Sequence, residues 1–133
     1  ARIVTLEKDR ERYQQALENI RECGYEDAIQ CLCADAREIS VEGPFDLLFL
    51  DGAKGIIQVL FDQYAPLVVP GGYIVIDDVD LHNFVAHPET IRSRRLRVLV
   101  KRLSIFREKI LKDPAYQSEY YPIGDGIIVA GKK

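Results

Sequence analysis

The sequence predicts an α/β fold with a mostly parallel sheet, and three observations carry the prediction. The stretches Phe45–Lys54 (Phe-Asp-Leu-Leu-Phe-Leu-Asp-Gly-Ala-Lys) and Gly71–Asp78 (Gly-Gly-Tyr-Ile-Val-Ile-Asp-Asp) are short, nearly continuous apolar runs that stop on carboxylates. Runs of that kind read as parallel strands buried on both faces. Strand-like and helix-like stretches alternate along the chain. Near its end, Gly124-Asp125-Gly126 separates two β-type runs, a strong hairpin signal.

In order, Arg2–Leu6 reads as a strand that ends on Glu7. Asp9 then caps a helix with Tyr13, Ala16, Leu17 and Ile20 on one face, and Gly24 stops it. Ala28–Cys33 is a second short strand, followed by Ala34-Asp35-Ala36. Glu42-Gly43-Pro44 breaks the chain before the strand into Asp51. Ile57, Leu60, Phe61 and Tyr64 repeat with helical period up to Pro66, and Pro70-Gly71-Gly72 is expected to turn the chain into the strand ending at Asp77-Asp78. The polar and aromatic mixture from Asp80 to Glu89 reads as a loop over the carboxyl edge, with His82 and His87 as loop residues near the candidate site. Thr90–Lys112 is the longest helix, held by Leu96, Leu99, Val100, Leu103, Phe106 and Ile110 until Asp113-Pro114 ends it. Tyr116–Ile123 and Ile127–Ala130 form the closing hairpin.

The 133 residues, 47% hydrophobic and 29% charged, are expected to make one domain with a real core. A net charge of -3 argues against coating nucleic acid or anionic membrane by bulk charge, while leaving a local basic patch open. No apolar run approaches a membrane span and the start has no signal-peptide anatomy, so a cytoplasmic protein is expected. Three cysteines with no Cys-x-x-Cys pair exclude a metal-thiolate motif. Cys31 and Cys33, two apart on a strand, read as small buried thiols.

The chemistry is expected at the strand ends. If the strands into Asp51 and Asp77-Asp78 are neighbours, the three carboxylates converge at the carboxyl edge of the sheet, where open α/β folds bind ligands. Like charges about 4 Å apart repel by about 4 kcal/mol at an effective dielectric near 20, so the trio calls for a cation or a raised pKa. A metal site is the reading. Arg92, Arg94, Arg95, Arg97, Lys101 and Arg102 concentrate positive charge on the long helix. Phosphate contacts would favour such a stripe; the solvated face of an amphipathic helix is the alternative.

Together, Phe-Asp-Leu-Leu-Phe-Leu-Asp-Gly-Ala-Lys-Gly, Pro-Gly-Gly-Tyr-Ile-Val-Ile-Asp-Asp-Val, the Arg-Arg-Leu-Arg helix and Pro-Ile-Gly-Asp-Gly resemble the cation-dependent O-methyltransferases that use S-adenosylmethionine. This is the catechol and caffeoyl-coenzyme A group, and the nearest likeness is to bacterial tRNA 5-hydroxyuridine methyltransferases. The resemblance spans the whole chain but only the later part of a family member. It implies a Rossmann-like class I methyltransferase sheet with a C-terminal antiparallel hairpin, lacking the first strand and glycine-rich turn. It implies Asp51, Asp77 and Asp78 as ligands of magnesium or manganese, with Asp78 departing from the family's usual Asn. Lys54 is implied as general base, accepting the proton of a substrate hydroxyl. Glu7 is implied for the cofactor's ribose hydroxyls, and Asp35, Ala36 and Asp51 for further cofactor contacts. The implied acceptor is 5-hydroxyuridine in tRNA, with a small catechol-type substrate as alternative, and a homodimer is expected. Without a glycine-rich turn, the 133 residues alone are expected to bind S-adenosylmethionine weakly or not at all and to transfer no methyl group, while a version with the preceding segment restored is expected to do both.

Two readings from other classes compete. A phosphoacceptor receiver domain also gathers acids and a lysine at a sheet's carboxyl edge, but there the acidic pair comes first in the chain and here it comes second. A non-catalytic fragment or binding module is the other.

Overall fold

A computed structural model describes all of residues 1–133, which form two compact units, Ala1–Val41 and Glu42–Lys133. Each has its own sheet, where the sequence suggested one domain around one sheet.

In the first unit, β1 (Ile3–Glu7) and β2 (Ile29–Cys33) pair in parallel, joined through α1 (Arg10–Glu22). Asp9 caps α1, its Oδ1 accepting from the Arg12 amide at 3.0 Å, and Gly24 follows the helix at φ 72°. The half-buried positions of α1 are Tyr13, Ala16, Leu17 and Ile20, the stripe its periodicity predicts. Cys33 is exposed and Cys31 only half-buried, contrary to the expectation of two buried thiols. Their strand belongs to a two-stranded sheet with little to bury against.

The second unit holds a four-stranded sheet in the order β3 (Phe45–Leu50), β4 (Val68–Ile76), β6 (Ile127–Lys132), β5 (Tyr116–Tyr121). β3 and β4 run parallel, while β6 is antiparallel to both β4 and β5. α2 (Ile57–Tyr64) and α3 (Arg94–Lys112) bury Ile57, Leu60, Phe61, Val100, Leu103, Phe106 and Ile110 with Leu50, Ile74, Ile76, Ile128 and Ala130 of the sheet. Phe61 anchors this core edge-on, its ring centroid 5.6 Å from Phe106 and 5.5 Å from Tyr116.

β3 is not buried on both faces. Leu47, Phe49 and Tyr73 are each more than half exposed, because both helices contribute to the core on the opposite face, which Leu50, Ile74 and Ile76 occupy by strand alternation. Gly71 and Gly72 lie inside β4, at a register irregularity opposite Asp46, and do not form a turn before it. A Cβ on Gly72 would stand 2.7 Å from Val68 Cγ1 and 2.8 Å from the Asp46 carbonyl oxygen. Close strand approach therefore demands glycine here. α3 begins at Arg94, four residues later than its apolar period predicts, because Ser93 Oγ caps the Leu96 amide and a 3-10 turn occupies Pro88–Thr90.

Candidate active site

In the second unit the ends of β3 and β4 are tied together. The Asp77 amide donates to the Leu50 carbonyl at 3.1 Å, extending the ladder one step beyond the strands. Asp51 and Asp77 thus leave the sheet side by side, as the alternation of short apolar runs and acids predicts.

The chain then departs from regular pairing. Ile76 faces Ile128, and the next bonds run from the Val79 amide to Gly126 O (3.0 Å) and from the Asp80 amide to Asp125 O (2.7 Å). Three chain steps on one side face two on the other, so the acidic pair forms a bulge, and Asp78 sits at φ 58°. Asp and Asn tolerate that left-handed region better than most residues. The Asp78 amide donates to Asp77 Oδ1 at 2.8 Å, fixing the first carboxylate against the backbone of the second.

Lys54, on a 3-10 turn between β3 and α2, is the one buried charged residue of the chain. Its Nζ donates to the Asp77 carbonyl at 2.7 Å and lies 3.6 Å from Asp51 Oδ1 and 3.9 Å from Asp78 Oδ2. The carboxylates of Asp51 and Asp78 and the main-chain carbonyl of Asp77 thus surround an ammonium. Burial pushes the Asp78 carboxyl up from its ordinary range; Lys54 opposes the shift and Asp125 adds to it. Asp78 Oδ1 is buried without a hydrogen-bond partner.

Two further residues join this cluster: His82, from the loop expected over the carboxyl edge, and Asp125. Asp125, read in the sequence as a hairpin turn residue, reaches the Asp78 carboxyl through the bulge pairing and holds His82 Nδ1 at 3.1 Å. Only the long-range pairing of residues 79–80 with 125–126 brings Asp125 here. His87 is turned to Glu89, 3.2 Å away, and both are exposed.

The donor set fits a hard cation in kind, being all carboxylate oxygen with one buried acceptor unpartnered. No three His, Cys, Asp or Glu side chains are gathered at metal-ligand spacing.

In the first unit, Glu7 Oε1 accepts from the Asp9 amide at 2.7 Å. Asp35 is held by Arg37 through Nε (3.0 Å), Nη2 (2.6 Å) and the main-chain amide (2.9 Å). Those bonds hold its carboxyl well below the usual carboxylate range. Ala36 beside it is half-buried.

Arg92, Arg94, Arg95, Arg97, Lys101 and Arg102 are all exposed. The first turn of α3 contains no acid, whereas its last turns pair Lys112 with Glu108. No helix is long and apolar enough to cross a membrane.

The sequence pattern of the O-methyltransferase family matches residues 1–133. The chain belongs to the O-methyltransferase family. It is 27% identical over 138 residues to caffeoyl-CoA O-methyltransferase of Populus kitakamiensis, covering 94% of this chain and 57% of the relative. An Arabidopsis thaliana protein assigned to the same activity is 28% identical over 131 residues, or 95% of this chain and 56% of the relative. Among solved structures, a Staphylococcus aureus protein assigned as a caffeoyl-CoA O-methyltransferase superposes with a TM-score of 0.92 at 27% identity, covering 99% of this chain and 65% of that one. An O-methyltransferase from Bacillus cereus in complex with SAH gives 0.80 at 26% identity, covering 100% and 63%. The chain spans less than two thirds of the length of each of these relatives. The fold is that of the class I methyltransferases, and family membership removes the receiver-domain reading.

Proposed function

We propose that the protein transfers the methyl group of S-adenosylmethionine to a hydroxyl oxygen, with Lys54 as general base. The observation that carries this reading is the buried Lys54 ammonium at the carboxyl edge, bonded to the Asp77 carbonyl and flanked by Asp51 and Asp78, in a chain of the O-methyltransferase family. In the reaction Lys54 Nζ, after its ammonium has given up a proton to solvent, takes the hydroxyl proton, the oxygen forms its bond to the methyl carbon, and the carbon–sulfur bond breaks. The sulfur keeps the electron pair, leaving S-adenosylhomocysteine. No covalent enzyme intermediate is needed, so the protein's contribution is positioning and electrostatics.

Magnesium or manganese, held by Asp51, Asp77 and Asp78, would acidify the acceptor hydroxyl. The buried, unpartnered Asp78 Oδ1 favours such an ion. Glu7 is proposed for the ribose hydroxyls, because its Oε2 makes no contact comparable to that of Oε1. Asp35 and Ala36 are proposed near the adenine, and Asp35 would serve there with its two oxygens already engaged by Arg37.

The acceptor we propose is 5-hydroxyuridine in tRNA. The cations of α3 support it: six exposed Lys and Arg residues lie within eleven positions and none enters an ion pair, in a chain of net charge -3. A small catechol-type acceptor is the second reading, favoured by the names of the curated relatives. Calorimetric titration of the purified protein with S-adenosylmethionine, with and without magnesium, tests the cofactor and metal parts. One site per chain, tightened by magnesium and not tightened in Asp77→Ala, is expected of a protein that also supplies the glycine-rich turn, and weak or no binding of the 133 residues alone. Methylation of a 5-hydroxyuridine-bearing tRNA in competition with catechol then separates the acceptors.

A further inference from the structure

Two residues beyond Asp78 lies a cluster that the proposed chemistry does not use. Asp80 Oδ1 is bonded to the Arg107 guanidinium of α3, and Asp80 Oδ2 accepts from the Tyr120 hydroxyl of β5 at 2.5 Å. The Arg107 guanidinium also stacks over the Tyr120 ring, 4.0 Å from its centroid. Both main-chain groups of Asp80 are engaged as well, its amide by Asp125 O at 2.7 Å and its carbonyl by the Val85 amide at 3.2 Å. A Cβ on Gly126 would stand 2.5 Å from Asp80 Oδ2, so the hairpin leaves no slack around this carboxylate. Immediately before it, Val79 is fully buried.

We infer that Asp80, Arg107 and Tyr120 are positioning residues: a clamp that holds the Asp77–Asp78 bulge in the geometry methyl transfer requires. The inference rests on the methyltransferase reading for what the geometry serves. On one side of Asp80 the chain bulges at Asp78, and on the other Leu81, His82 and Asn83 take φ values of 45°, 54° and 66°. Non-glycine residues hold left-handed conformations only where surrounding structure over-determines them. Asp80 is the point between the two strained segments where side chain and backbone are both fixed. It is bound to three different elements: α3, β5 and the hairpin loop. An ion pair serving stability alone would not need to sit at that point.

The test uses Tyr120→Phe and Asp80→Asn, with Lys112→Ala as control. Tyr120→Phe removes one bond to Asp80 while keeping the ring under Arg107, so the fold should survive it. Two quantities are read: the amide resonances of Asp77, Asp78 and His82 by 1H–15N correlation, and, in a protein that also supplies the glycine-rich turn, kcat and KM for the methyl acceptor. Positioning predicts that the three resonances move in both clamp variants. It further predicts that kcat falls about tenfold while KM changes less than twofold, because displacement of reacting groups costs rate more than binding. The control should leave both unchanged. Resonances of Asp77 and Asp78 at their wild-type positions overturn the clamp, as does an unchanged kcat with shifted resonances. If the wild-type protein transfers no methyl group, the methyltransferase reading fails and the resonances alone decide whether the clamp holds the bulge.

Discussion

The Lys54 ammonium donates a 2.7 Å hydrogen bond to the main-chain carbonyl of Asp77. That bond joins the segment after β3 to the end of β4 at the one place where both strands deliver carboxylates. Removing the ammonium while keeping the apolar stem, as in Lys54→Met, leaves a part-buried carbonyl without its donor. It should lower stability by about 1–3 kcal/mol in urea unfolding. Lys54→Arg should not restore it, since a planar fork cannot take the place of a compact ammonium in a buried slot. Unchanged stability in Lys54→Met would show that the bond is incidental.

Asp78 supplies a pH-dependent prediction. Its carboxyl is raised, chiefly by burial, so the folded protein binds this proton more tightly than the unfolded chain does. The resulting stabilisation is present below the ordinary aspartate range and is lost as pH rises through the raised folded value. Asp78→Asn removes the ionisation and keeps a residue type that accepts φ 58°. The variant should therefore melt higher than wild type at pH 7, with the gain shrinking towards pH 3. A gain that grows on acidification would contradict the sign of the shift.

How much of this was legible in the sequence divides along physical lines. Local patterns found the strands, the α1 cap at Asp9, the hairpin and the four half-buried positions of α1. The apolar runs ending in acids located Asp51, Asp77 and Asp78 at one sheet edge. What escaped depends on long-range contacts. Asp125 joins the cluster only through long-range pairing, of Val79 with Gly126 and of Asp80 with Asp125. The exposure of Leu47 and Phe49 was hidden because a continuous apolar run says nothing about which face a helix covers. Likewise Gly71-Gly72 looked like a turn, since glycine at a turn and glycine at a close strand crossing read alike.

Gly72 gives a steric check on that crossing. Gly72→Ala places a methyl group 2.8 Å from the Asp46 carbonyl, which belongs to the backbone of a paired strand and cannot rotate away. A loss of about 1–3 kcal/mol in denaturant unfolding is expected. Gly55→Ala, whose added methyl group meets nothing within 4 Å, should cost far less. Equal losses at the two positions would mean that the crowding is not real.

The basic end of α3 should separate binding from stability. Arg94 and Arg95 sit in the first turn, where the helix dipole is positive and no acid compensates. Replacing both with Glu should stabilise the fold, by about 0.3–1 kcal/mol for each residue. The same variant should bind RNA more weakly, with a salt slope reduced by about 0.7 for each phosphate that is no longer neutralised. Binding with an unaltered slope would return these arginines to an ordinary solvated face.

Transfer of a labelled methyl group from S-adenosylmethionine by wild type and by Lys54→Ala, each in a protein that also supplies the glycine-rich turn and under conditions where chemistry limits the rate, tests the central claim most directly. The predicted result is transfer to a hydroxyl acceptor by wild type and a fall in kcat of about a hundredfold or more in the variant, with cofactor affinity within about twofold. Equal turnover by the two proteins would contradict Lys54 as the base. Absence of transfer by wild type to both the hydroxyuridine-bearing tRNA and catechol would contradict the proposed activity itself.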